Sequence, residues 1–134
     1  MNGKGFDIRT AQIEDHHAHL LRLDYLDRCL FFSDGSDDRA VDTHCLRLLS
    51  SQAILIGGYV DGRLRASVEI IPDQAGRYGR ATLIAEHGYQ FDELADALVT
   101  RAQAEAVKHG LCKIDFAGMT GSPEQIRAQI ARFA

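Results

Sequence analysis

The 134-residue chain has little of what commits a sequence to a special environment. Its three cysteines, Cys29, Cys45 and Cys112, are odd in number and lack C-x-x-C spacing. That excludes a disulfide framework, points to reduced thiols in a cytoplasmic setting, and leaves each cysteine as a small buried hydrophobe. It has only two prolines, Pro72 and Pro123, both at expected element boundaries. No run of about 18 apolar residues exists, so no membrane span is expected. The opening M-N-G-K-G-F-D-I-R lacks the apolar core of a secretory signal. There is no basic excess: 15 Lys and Arg stand against 19 Asp and Glu, a formal net charge of −4. A whole-domain affinity for nucleic acid or an anionic membrane is therefore not expected. Internal repeats, low-complexity tracts, and the G-x-S-x-G, H-E-x-x-H and Walker patterns are all missing.

What is present is ordinary globular material. With 46% hydrophobic and 25% charged residues, residues 1–134 are expected to form one domain with one real core. Phe6 to Thr10 reads as a first strand with Phe6 and Ile8 on one face. Ile13 to about Leu26 reads as a helix, with Ile13, His17, Leu20 or Leu21 and Asp24 at helical spacing. Ser33 to Asp38 is a loop whose Asp37 or Asp38 caps a second helix running to about Leu49. Two strands, I-L-I-G-G-Y-V and R-L-R-A-S-V-E-I-I, flank Asp61-Gly62, a strong two-residue hairpin signal. Leu64, Ala66, Val68 and Ile70 alternate with Arg63, Arg65, Ser67 and Glu69, so the second of these strands is expected to be half buried. A further strand spans Arg80 to Glu86. The stretch Tyr89 to His109 then turns abruptly into a long amphipathic helix with Phe91, Leu94, Leu98, Ala102 and Ala106 near one face. Gly110 stops it, and Leu111 to Phe116 returns as a strand. Ser122-Pro123-Glu124-Gln125 carries a capping-box signature for a last helix. The order is β-α-α-β-β-β-α-β-α, an α+β layout with a mostly antiparallel sheet and one crossover.

Segments in this order resemble the GNAT acyltransferase superfamily over nearly the whole chain. I-G-G-Y-V-D-G-R-L-R-A-S-V-E-I is similar to that family's central hairpin. L-D-Y-L-D-R-C-L-F-F resembles the L-x-x-x-D-R-x-x-R-F opening of domains related to bacterial protein acetyltransferases, with Phe31 in place of the second arginine. The family's Q/R-x-x-G-x-G/A motif aligns with Gln90-Phe91-Asp92-Glu93-Leu94-Ala95, where Gln90 and Ala95 match and Glu93 replaces the first glycine. The resemblance implies a GNAT-like fold, a mostly antiparallel central sheet flanked by helices, with acetyl-CoA as co-substrate and a small-molecule or protein amine as acceptor. It also implies that Gln90 to Ala95 cradle the pyrophosphate with backbone N–H groups. A helix start attracts anions, and glycine lets backbone approach closely. Asp92 and Glu93 work against this. Like charges at about 4 Å repel by about 1 kcal/mol in water and about 4 at an effective dielectric of 20, while acidic residues stabilise an empty helix start. The family usually continues with two more strands, and a general-acid tyrosine is frequent on its last helix. Here the sequence stops at Ala134, Ser122 to Phe133 holds no tyrosine, and Leu111–Phe116 is expected to be a free edge open to pairing with a second copy. The alternative is therefore a catalytically silent GNAT-like module that binds a ligand or a protein.

For an enzyme, Glu86 is the best-placed base, at the end of the strand leading into the motif, with Glu69 on the neighbouring strand as alternative. Either also reads as a solvated surface carboxylate. Tyr89 or Tyr78 is the candidate acid or substrate-orienting group, or simply an aromatic with a wet hydroxyl. His16 and His19, three apart, share a helix face. With His17 nearby and His44 or Cys45 brought in by the fold they invite a metal reading, but a zinc site needs more convergent ligands and no metal is expected. His87 reads as a loop residue. His109 complements the helix dipole ahead of Gly110 as C-cap. Arg63, Arg65, Arg77 and Arg80 cluster around the hairpin, either as a solvated face or as a site for an acidic partner or the CoA 3′-phosphate.

Overall fold

The computed structural model describes residues 5–32 and 35–116. The chain runs β1 (Phe6–Thr10), α1 (Ile13–Leu21), α2 (Tyr25–Phe31), α3 (Asp38–Ser50), β2 (Ile54–Val60), β3 (Arg63–Pro72), β4 (Tyr78–Ala85), α4 (Asp92–Lys108) and β5 (Lys113–Phe116). The strands form one sheet in the order β1-β2-β3-β4-β5. The first three pairings are antiparallel, and β4 pairs with β5 in parallel through the α4 crossover. This is the expected α+β layout. The last expected helix, Ser122 to Phe133, lies outside the described residues.

Helices cover both faces of the sheet. On one face Leu94, Leu98, Ala102 and Ala106 of α4 pack on Ile56, Ala66, Val68, Ile70, Ala81 and Leu83, all buried. The four helix residues repeat every four positions, which is why one helix spans the sheet. On the other face Leu20, Val41 and Cys45 of α1 and α3 gather around Ile84. Burial lifts the Cys45 thiol to about 11, with Glu69 and Asp42 adding to it, so this cysteine is core material and not a nucleophile.

Two details differ from the sequence reading. The single helix expected from Ile13 to about Leu26 is two helices. α1 ends at Leu21, and Asp24 takes an extended backbone and accepts a hydrogen bond from the Asp27 amide, capping α2. A side chain that satisfies a free amide starts a new helix better than it extends an old one. The second detail is in β3. Gly58 pairs with Ala66, but Tyr59 pairs with Leu64, so Arg65 is an extra residue. This bulge breaks the period-two alternation. Leu64 leaves the face of Ala66, Val68 and Ile70 and packs on Ala11 and Tyr59 instead. Nor is β3 half buried, since Ser67 and Glu69 on its second face are buried beneath helices.

The hairpin turn is as the sequence indicates: Asp61 and Gly62 both have positive φ (52° and 79°), the two-residue geometry that matches strand twist. The α4 stop is also as read. Gly110 has φ 78°, its amide binds the Val107 carbonyl, and the Leu111 amide reaches back to Ala106, a Schellman closure. The His109 ring bonds the Glu105 carbonyl.

Close packing of α4 on β2 depends on Gly58. A Cβ there would lie 2.6 Å from Leu94 Cδ1, and Leu94 is fully buried. Gly58→Ala should therefore destabilise by about 1–3 kcal/mol in urea unfolding, the usual cost of overpacking, despite the small gain from a stiffer unfolded chain.

Candidate functional site

Bulge, strand alternation and helix spacing bring eight polar residues together between the sheet and the α1 layer. On β3 the residues facing this layer are Arg65, Ser67 and Glu69. Glu86 follows the end of β4, its amide bonded to the Arg65 carbonyl at 2.9 Å. From above, His16 and His19 project from α1 one turn apart, with Arg22 at the helix end and His44 from α3.

They form two carboxylate-centred clusters. In the first, Glu69 Oε2 bonds His16 Nε2 at 2.7 Å and His44 Nε2 at 2.9 Å. In the second, Glu86 Oε2 bonds His19 Nδ1 at 2.8 Å. Arg22 Nε donates to both Glu86 oxygens at 3.1 Å, and an Arg65 guanidinium nitrogen donates to Oε1 at 3.0 Å. The His16 and His19 rings lie 5.7 Å apart and link the clusters. Both histidine side chains are fully buried, and those of Glu69 and Glu86 are 3% and 7% exposed. Arg22 also donates to the Leu64 carbonyl, tying the end of α1 to the bulge.

Burying charge is costly unless it is paired, and the pairing sets the protonation states. Burial alone would raise the Glu69 carboxyl. The hydrogen bonds from His16 and His44, and then their charges, outweigh it and hold the group at about 2. Glu86 follows the same balance: burial raises it, but the His19 hydrogen bond, the charges of His19 and Arg22, and the Arg65 bond hold it below the usual carboxylate range. Burial pushes the His19 imidazole down, and its bond to Glu86 only partly offsets this. Four buried atoms of the layer, His16 Nδ1, His19 Nε2, Arg65 Nε and Ser67 Oγ, have no hydrogen-bond partner among the described residues. Each costs about 1–3 kcal/mol unless water serves it.

The β4–α4 junction adjoins the second cluster. The Tyr89 amide bonds the Glu86 carbonyl at 2.9 Å across a turn in which Gly88 takes φ 90°. The Tyr89 ring lies under the Arg65 guanidinium, 4.9 Å from its centroid. The Gln90 side chain donates to the Ala85 carbonyl at 3.2 Å. Phe91 is the N-cap of α4 and supplies no side-chain cap, while Asp92 and Glu93 occupy the first turn. Leu94 points into the core and Ala95 begins the helical hydrogen bonding with a bond to the Phe91 carbonyl. The backbone thus presents an ordinary helix start, without the glycine that would let a ligand approach it closely.

The sequence candidates divide clearly. Glu69 and Glu86 are not solvated carboxylates. His16 and His19 do share a face, but that face points at glutamates, and no group of three or more metal-ligating side chains occurs among the described residues. His17 pairs with Asp42 at 2.6 Å on the surface. Tyr78 and His87 are exposed, as are Arg63, Arg77 and Arg80. Arg65 differs from the other three because the bulge turns it onto Glu86. Arg22 was not singled out from sequence; its only signal is its place three residues after His19. Ser67 gave none beyond strand alternation.

The layer makes stability acid-sensitive. The folded His19 pKa lies below its ordinary 6.5, so the unfolded chain takes up that proton first, and stability should begin to fall as pH drops below about 6.5. Glu69 adds a second loss between 4.5 and about 2, on the order of 3 kcal/mol in total. Urea midpoints measured from pH 8 to 3 should show both limbs. Glu69→Gln should lower stability at pH 7 by about 2–4 kcal/mol, because it takes the carboxylate acceptor away from the buried His16 ring and from His44, and should flatten the limb below 4.5.

No protein-family model and no curated protein matches the sequence. Solved structures do match the fold. A ribosomal-protein-alanine N-acetyltransferase from Brucella melitensis biovar Abortus 2308 superposes with TM-score 0.63 at 22% identity, over 96% of this chain and 90% of that one. An N-acetyltransferase from Staphylococcus aureus Mu50 gives 0.72 at 12%, over 96% and 81%. A Clostridium acetobutylicum protein, described as a predicted acetyltransferase with acetyl-CoA, gives 0.67 at 16%, over 96% and 88%. Sheet order, parallel β4–β5 crossover and these superpositions agree: the chain has the fold of the GNAT N-acetyltransferases.

Proposed function

We propose that the protein is an acetyl-CoA-dependent N-acyltransferase acting on an amine, small or protein-borne, in the cytoplasm. The observation that carries this reading is the β4–α4 junction. There an oriented, ionised carboxylate, Glu86, follows the end of β4, and a short turn leads from it to the start of α4, within a fold whose solved examples include acetyltransferases. In this reading the backbone amides of Gln90, Phe91, Asp92, Glu93, Leu94 and Ala95 hold the pyrophosphate through the positive end of the α4 dipole. The thioester supplies the acyl group and leaves as the thiol. Glu86 receives the amine proton through water, since its own oxygens already accept bonds from His19, Arg22 and Arg65. Those bonds keep it anionic and weakly basic, so it releases the proton readily to solvent. Tyr89, half buried against Arg65, orients the acceptor.

A second reading, a catalytically silent module, has its own observations. The four hydrogen bonds on Glu86 suit a structural ion pair, and Asp92 and Glu93 suit a helix start that never meets a diphosphate. In that case β5, the last strand of the sheet among the described residues, supports pairing of two copies edge to edge.

Calorimetric titration with acetyl-CoA at near-physiological salt separates the two. The enzyme reading expects a dissociation constant in the micromolar range, about −8 kcal/mol. It also expects Glu93→Gly to tighten binding at least about fivefold, the effect of removing about 1 kcal/mol of repulsion. No heat up to millimolar ligand, with an unshifted melting temperature, leaves the silent module.

A further inference from the structure

Helix α2 turns most of its apolar residues outward. Its outward arc carries Tyr25, Leu26, Cys29 and Leu30, spaced i, i+1, i+4 and i+5 on one side of a helix. Tyr25, Leu26 and Leu30 are 68%, 72% and 74% exposed, and Cys29 is also exposed. Its inward arc carries the polar residues Asp27 and Arg28 together with Phe31, which packs against the buried cluster around Ile84. Arg28 is occupied there: it donates to the carbonyls of Leu21, Leu23 and Ser36 and to Asp38 Oδ1 at 2.9 Å. No residue of α2 is buried. The usual amphipathic order places apolar residues inward, and a helix with four apolar residues turned outward presents a surface for something else to cover.

We propose that the outward face of α2 is a docking surface for a polypeptide partner that offers an apolar groove with a basic rim. Three observations select that occupant. The face is the convex side of a helix, whereas small ligands are held in concave sites that enclose most of their surface; helix-in-groove docking suits it instead. Its border is acidic: Asp24 and Asp27 flank the apolar arc, while Arg28 of the same helix is committed to Asp38 and to backbone carbonyls. Its area is small. Four such side chains expose on the order of 500 Å², against about 800 Å² per partner in a standard interface, which suits a weak, transient partner and not a stable dimer. The formal charge of −4 also works against self-association. The surface opens beside the candidate site, since Asp27 lies within electrostatic reach of His87, the residue after Glu86. The proposal does not depend on acyl transfer.

The test is a ¹⁵N-resolved NMR titration of the whole chain with a synthetic amphipathic helix of leucine and lysine. Two controls accompany it: the same peptide with glutamate for each lysine, and the double variant Leu26→Ser/Leu30→Ser. Both leucines are exposed, so the variant should keep its melting temperature. Saturable shifts confined to the Tyr25–Phe31 amides, weakened about tenfold or more by the glutamate peptide and by the variant, are expected. Shifts that miss α2, or that are equal for the two peptides, would overturn the proposal. So would α2 shifts that depend on protein concentration alone, which would put a second copy on the face.

Discussion

Two buried glutamates on the middle strands set the terms for the rest of this structure. A sheet that carried Glu69 and Glu86 on a bare inner face would not take a helical layer, because neither ion survives burial without donors or cations to pair with. The chain solves this from α1: His16 and His19, one turn apart, meet one glutamate each, while Arg22, the β3 bulge and His44 complete the shells. Helix position, strand register and protonation state therefore depend on one another. The helix-to-sheet interface on this side sets these polar groups beside the apolar cluster around Ile84, whereas the α4 side is packed mainly by apolar residues. Polar pairing of this kind specifies register, because a one-residue slip of β3 would turn Glu69 to the opposite face.

The same constraint shapes the chemistry open to the site. Glu86 stands where a base is wanted, at the end of β4 and before α4. Yet it is held by three cationic or proton-donating partners and is nearly closed to solvent. A carboxylate so held is ionised, fixed in direction and weakly basic. It can steer an ammonium or relay a proton through water, but it is poorly matched to removing one directly from a free alkylamine at neutral pH. The start of α4 shows a parallel compromise, with a backbone dipole that attracts an anion and two carboxylates that oppose it. Both features lie in a fold shared with acetyltransferases, and fold alone does not choose among functions.

Much of the architecture was legible in the sequence. Asp61-Gly62, the α4 periodicity, the Gly110 stop and the Asp37 cap are local signals, and local physics decides them. The break at Asp24 was missed because the apolar spacing runs through it, although the capping side chain was in plain sight. The bulge at Arg65 was missed because alternation reads smoothly across it; the extra residue shows only against the partner strand. The site was legible as a set of residue types, His16, His19, Glu69 and Glu86, but not as a set of contacts. Spacing placed the histidines on one face, and only tertiary register could say that two glutamates lie opposite. Arg22 carried only its spacing from His19, since its role depends on where α1 ends above the sheet.

Carbon-13 NMR titration of the Glu69 and Glu86 carboxyl resonances in the folded protein tests this account most directly. If the histidine and arginine shells govern the layer, Glu69 will stay ionised down to about pH 2, and Glu86 will titrate below the ordinary 4.5. If either carboxyl titrates at or above 4.5 while the fold is intact, its ion pairs do not hold it, and the layer cannot be what fixes the helices on the sheet.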